Sequence, residues 1–200
     1  MAAELPEDLR QQLAHARAVL DQRDDGELPL PERQAIRERF GPYEPVDGAH
    51  APPGLRRRVR LAELAARKVL PLWYADRPDD DEPERLLALA YDVLERRVDR
   101  DEARREAHRF LNRMQELDDL GDTGASAAEA ARSVVRTAYE GDYSDRADEA
   151  GEEAIEPSQW DPTFMAALAA AGYPDENVEK RRAYWEWYLD EAVPEAWASG

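Results

Sequence analysis

Apolar residues recur at helical spacing along nearly the whole chain, and the strict alternation that marks a half-buried strand is almost absent. The clearest run is 55–73, where Leu55, Val59, Ala62, Ala66, Val69 and Trp73 follow one another at steps of four, three, four, three and four. Those steps return to one side of a helix and predict a single buried stripe. Pro71 lies inside the run and predicts a kink or an end near Trp73. Residues 6–22 predict an earlier helix with Leu9, Leu13, Ala16 and Leu20 on one face, and 31–40 predict another with its proline in the first turn. Between them and the 55–73 helix, GPYEPVDGAHAPPG (41–54) carries four prolines and three glycines and reads as a loop.

The second half is punctuated by start signals. Acids before Pro83 open a helix there. Asp99 and Glu102 form a capping box, and the helix behind it buries Ala103, Ala107, Phe110, Leu111 and Met114. SAAE (126–129) repeats the capping pattern and predicts a start at Ser126, with Ala127, Ala131, Val134, Val135 and Ala138 inward. Asp161–Pro162 is an N-cap followed by a first-turn proline, and its alanine-rich helix stops at Gly172. A last helix runs from about Asp175 to the region of Pro194. Before these last two helices, 140–159 contains eight acids and one arginine, has little to bury, and reads as a mobile acidic segment. The expectation is an all-α fold: one helical domain over 1–200, built as an irregular bundle of seven to eight helices, with an acidic loop before the last two.

The last helix raises its own question, because RRAYWEWYLDEAVPEAW (181–197) holds three of the five tryptophans in the chain. At about 100° per residue, Tyr184, Trp185, Tyr188, Leu189, Ala192 and Val193 share one face and are expected to be core. Trp187 falls in another arc. It is expected either to floor a helix–loop contact or to touch a partner.

Charge narrows the choice of partner. The formal net charge is −18, unevenly placed: residues 1–100 hold 17 basic and 21 acidic residues (net −4), and 101–200 hold 10 and 24 (net −14). Such a surface repels nucleic acid and anionic membranes and steers toward a basic partner, although it also serves plain solubility. There is no cysteine, no apolar run of bilayer length and no leader-like N-terminus, so a cytoplasmic protein is expected. GLRRRVR (54–60) flanks a core stripe, and pairing with neighbouring acids is a better account of it than phosphate binding.

Candidate chemistry is sparse. The residues three before His15, His50 and His108 are Gln12, Asp47 and Arg105, so the Glu-x-x-His spacing of a carboxylate-bridged metal bundle is missing. His108 sits at the edge of its helix's stripe and reads as a half-buried structural histidine. No serine has the Gly-x-Ser-x-Gly context, and LGDTGAS lacks the lysine of a phosphate loop. No catalytic residue, cofactor or metal is assigned.

A likeness rests on two stretches: AARKVLPLWYADRPDDDEPERLLALAYDVLERR (65–97) and EKRRAYWEWYLDEAVPEAW (179–197). Together they resemble the fifth immunity-protein family of bacterial polymorphic toxin systems, in order and spacing from Pro6 onward. The matching positions are Lys68 to Trp73, then Arg181, Arg182, Trp185 to Leu189, Glu191, Ala192, Pro194 and Trp197. The acidic 140–159 stretch has no counterpart in that pattern. The resemblance implies an all-helical protein encoded beside a toxin, which binds the cognate toxin domain and blocks it without catalysis. An acidic surface suits a basic, nucleic-acid-cutting toxin. On this reading, Trp187 and the acids Asp142, Asp145, Asp148, Glu149, Glu152 and Glu153 contribute to the contact. Two other readings are a helical interaction or scaffold module with a different partner, and a metal-dependent enzyme using carboxylates alone.

Overall fold

The computed structural model describes residues 4–44, 51–116, 123–141, 160–173 and 177–200. Among them the chain is all-helical: α1 (Glu7–Asp21), α2 (Leu30–Glu38), α3 (Pro53–Asp76), α4 (Glu82–Leu94), α5 (Arg100–Glu116), α6 (Thr123–Glu140), α7 (Pro162–Ala171), and a final run of α8 (Val178–Trp187), a π turn (Tyr188–Ala192) and α9 (Val193–Ala198). The final run is unbroken, so the described residues form eight helical rods.

Helix α6 is the axis of the bundle. Every residue from Gly124 to Tyr139 is buried, because α3, α4, α5 and α7 all pack around it. Small side chains make this possible. Ala125, Ser126, Ala127, Ala128, Ala130 and Ala131 leave little bulk between the axis and its neighbours, so backbones approach closely and the core is filled by the larger residues opposite. Glu129 and Arg132 are carried into the interior as an i,i+3 pair, with Nε 2.7 Å from both carboxylate oxygens. The start at Thr123 corrects the start expected at Ser126. Ser126 is buried inside the helix, and the Thr123 hydroxyl ties the true first turn to the Tyr173 carbonyl at 2.9 Å.

Helix α3 buries all six residues of its stripe. It also runs through Pro71 to Asp76 instead of ending near Trp73. Pro71 and Arg67 both lie on the exposed side, where water can take up the carbonyl that the proline cannot bond. Two capping expectations hold. The Asp99 carboxylate accepts from the Glu102 amide at 2.8 Å, and that of Asp161 from the Thr163 amide at 2.7 Å. Helix α7 then stops at Gly172, whose φ of +83° is a left-handed conformation. Leu111 and Leu13 are half-buried, and His108 is exposed, contrary to the half-buried position expected of it.

The π turn follows from the sequence. Buried residues in the final run fall at 184, 188, 192 and 196, and at 185, 189 and 193: steps of four only. In an α-helix at about 100° per residue, Ala196 would end about 120° away from Tyr184. One extra residue in a π turn gives back about 100°, so the stripe stays on the core. Pro194 lies in the first turn of α9, just past the π turn, where a proline's missing N–H costs least.

Candidate interaction face

The final helical run is held on two sides. Its start is capped by Asn177, whose side chain accepts from the Lys180 amide at 2.8 Å. On one side, Arg182 donates to the Leu20 carbonyl at 2.8 Å and to that of Arg23, while Arg17 pairs with Asp190 and approaches Glu186 at 3.7 Å. The α1–α2 turn comes so close here that a Cβ on Gly26 would lie 2.6 Å from the Val178 carbonyl oxygen, and Gly26 has φ +67°. On the other side, the run lies antiparallel to α3 in a fixed register. Trp197 stacks on the Arg57 guanidinium at 3.6 Å, Glu195 pairs with Arg60, and Trp187 faces the Lys68 ammonium at 4.7 Å.

The inward residues form an aromatic knot. Trp185 is 0% exposed and meets Tyr184 and Tyr188 edge-on at 5.0 and 5.3 Å. The buried Arg33 guanidinium lies 5.1 Å from Trp185 and 5.2 Å from Phe164. Burial, and secondarily the Tyr188 hydroxyl, hold the Tyr184 phenol well above its ordinary pKa, and its hydroxyl donates to the Thr163 carbonyl at 3.0 Å. Tyr184, Trp185, Tyr188, Leu189, Ala192 and Val193 are all core, as the helical phase predicts.

Trp187 differs from them. It is half-buried: one part packs on Tyr184 at 5.5 Å and on Lys68, and the rest faces outward. The contact beneath it is helix on helix, not helix on loop. Asp142, Asp145, Asp148, Glu149, Glu152 and Glu153 lie outside the described residues, so the structure does not place them relative to Trp187.

The arginine-rich start of α3 is consumed internally, though not chiefly by acids. Arg57 donates to the Phe40 carbonyl at 3.0 Å, Arg58 to those of Gly41 and Gly54 at 2.8 and 3.0 Å, and Arg56 to that of Ala51 at 3.3 Å. Arg60 does use acids: Glu63 at 2.7 Å and Glu195. Glu63 is a hub that also receives Arg67 at 2.8 Å and the Tyr91 hydroxyl. Burial pushes Glu63 up, but the three donors outweigh it and hold its carboxyl below the usual range. Tyr91 is pushed up to about 12 by burial and by that same bond.

One charged cluster was only half visible beforehand. Asp161, read as an N-cap, is also the buried counterion of Arg37 and lies 3.8 Å from Arg33. Nothing in the spacing of Arg33 and Arg37 to Asp161 announces this, because the partners are more than 120 residues apart. The crevice beside them, lined by Arg37, Arg58, Asp161 and Thr163, holds about 20 Å³, room for one water. Among the described residues no three His, Asp or Glu side chains gather as a metal site, and no helix is long and apolar enough to cross a membrane.

Packed aromatic anchors, an arginine cluster spent on backbone carbonyls and a C-terminal run held in antiparallel register against α3 define an all-helical bundle among the described residues. A family model for immunity protein Imm5 matches residues 13–195, and the chain belongs to that family. It is therefore an immunity protein, whose partner is a toxin. No curated protein matches the chain.

Proposed function

We propose that this protein neutralises a cognate bacterial toxin domain of a polymorphic toxin system by binding it in the cytoplasm, as one helical unit, without catalysing a reaction itself. The observation that carries this reading is the family match over 13–195. Charge supplies the mechanism: with a net charge of −18, the protein attracts a basic, nucleic-acid-cutting domain, speeds encounter and covers the surface that substrate would use. The internal use of Arg56, Arg57, Arg58 and Arg60 supports a protein partner over nucleic acid. Trp187 and the acids Asp142, Asp145, Asp148, Glu149, Glu152 and Glu153 contribute to the contact.

The test is a titration against the inactivated C-terminal domain of the polypeptide encoded immediately upstream, at low and moderate salt. Tight one-to-one binding that weakens with salt is expected, together with stoichiometric loss of toxin activity. Replacing the six acids by their amides should slow association at low salt. Absence of binding would overturn cognate immunity to that neighbour, and an unchanged association rate would remove the six acids from the contact.

A further inference from the structure

Helices α1 and α2 run close to each other, and the side chain of buried Gln12 on α1 donates to Glu32 on α2 at 2.9 Å. Among the described helices α2 has no other extensive backbone neighbour, and α1 comes near the final helical run only sparsely. Long side chains bridge the gap to the body instead. Arg37 pairs with Asp161 at the start of α7, Arg33 lies over Trp185 and Phe164, and Arg17 pairs with Asp190. From the other side, Arg182 reaches back to the Leu20 and Arg23 carbonyls. Helices α3, α4, α5 and α7, by contrast, close around the alanine-rich α6 directly.

Such a joint comes apart more readily than a close-packed one. A long side chain gives up rotamer freedom to hold its bond, and separation returns that freedom and rehydrates the charges. Opening the hairpin leaves the packing around α6 in place. The end of the hairpin stays tied: Arg57 and Arg58 on α3 hold the Phe40 and Gly41 carbonyls at 3.0 and 2.8 Å. Gly41 itself has φ +90° and nothing within 4 Å of where a Cβ would stand, so the backbone there has room to pivot. The wholly buried Leu9, Leu20, Leu28 and Ile36 keep the open form rare.

We infer that the α1–α2 hairpin is a hinged unit that swings off the body about Gly41 while the bundle around α6 stays folded. The Arg37–Asp161 pair is its clasp, and opening uncovers the Trp185 and Phe164 rings that Arg33 lies over. A supersecondary pair of this kind is a common size for a separately opening unit. The device belongs to the fold and does not depend on the toxin-binding reading.

The experiment is native-state hydrogen exchange of the full-length protein in increasing urea. Amides of α1 and α2 are expected to share one opening, about tenfold or more faster than exchange in α6 and less dependent on urea, because it exposes less surface. Leu87→Ala, in α4 where it packs on α6, weakens the closed and open forms alike. It should speed exchange in α6 about 30-fold or more and leave α1 and α2 unchanged. Arg37→Met removes the charge paired with Asp161 and should speed exchange in α1 and α2 about 100-fold or more. One rate and one urea dependence for all three helices would overturn the hinged unit, and so would equal acceleration of all three by Leu87→Ala. Separate openings of α1 and α2 would overturn the hairpin as the moving body. An Arg37→Met protein that exchanges no faster than wild type would overturn the ion pair as its clasp. The wild-type comparison decides between hinged unit and single unit even where a variant does not fold.

Discussion

Helix α6 and the C-terminal run are both packed into the same core, and they reach it by opposite means. Helix α6 is buried on every side and carries alanine where its neighbours approach. The C-terminal run turns one face to the core, keeps exposed positions on the other, and holds itself in place with large aromatics, a π turn and Arg182, which reaches back to α1. An element closed on all sides has no surface to offer a partner. An element anchored on one side keeps its other side available, and a rigid one. The difference leaves α6 wholly inside the fold and Trp187 of the C-terminal run partly at the surface.

The comparison can be broken by mutation, and the largest effect should come from the anchors. Trp185→Ala removes the centre of the aromatic knot and is expected to cost about 3–5 kcal/mol in urea unfolding. Ala131→Leu forces bulk into the tight axis and is expected to cost about 1–3 kcal/mol by the same measurement. If the alanine substitution proved harmless, the close approach assigned to α6 would be wrong. Asn177→Ala deletes the cap that starts the C-terminal run and should cost about 1 kcal/mol.

The last effect shows in pH dependence rather than in size. The carboxyl of Glu63 is held below its ordinary value of 4.5 in the folded protein, so it contributes stability that is present above that value. That contribution is lost as pH falls through the lowered folded pKa. Glu63→Gln should therefore flatten the acid limb of the stability curve, measured as unfolding midpoints from neutral pH downward; an unchanged limb would show that the hub bonds do not govern Glu63.

The same contrast explains which parts of the molecule were legible in the sequence. The C-terminal core face was readable residue by residue, because large aromatics at helical spacing have one way to be buried. So were the stripe of α3 and the caps at Asp99 and Asp161. Helix α6 was harder: alanines satisfy any face, so the sequence pattern named one side of a helix that is buried all round. Its SAAE stretch imitated a start because a capping box is only a local pattern, and tertiary packing placed Ser126 inside. Pro71 misled for a related reason, since a proline breaks a helix only where its lost bond has no other partner. The pairing of Asp161 with Arg37 depends on which helices become neighbours, and one-dimensional spacing carries no such signal.

The most direct measurement is a side-chain oxidation footprint of the protein alone and bound to the inactivated toxin domain. The account predicts that Trp187 becomes protected in the complex. Exposed His108, on α5 where it packs against α4 and α6, should stay as reactive as before. A stable complex in which Trp187 remains as reactive as in the free protein would contradict the claim that Trp187 contributes to the toxin contact.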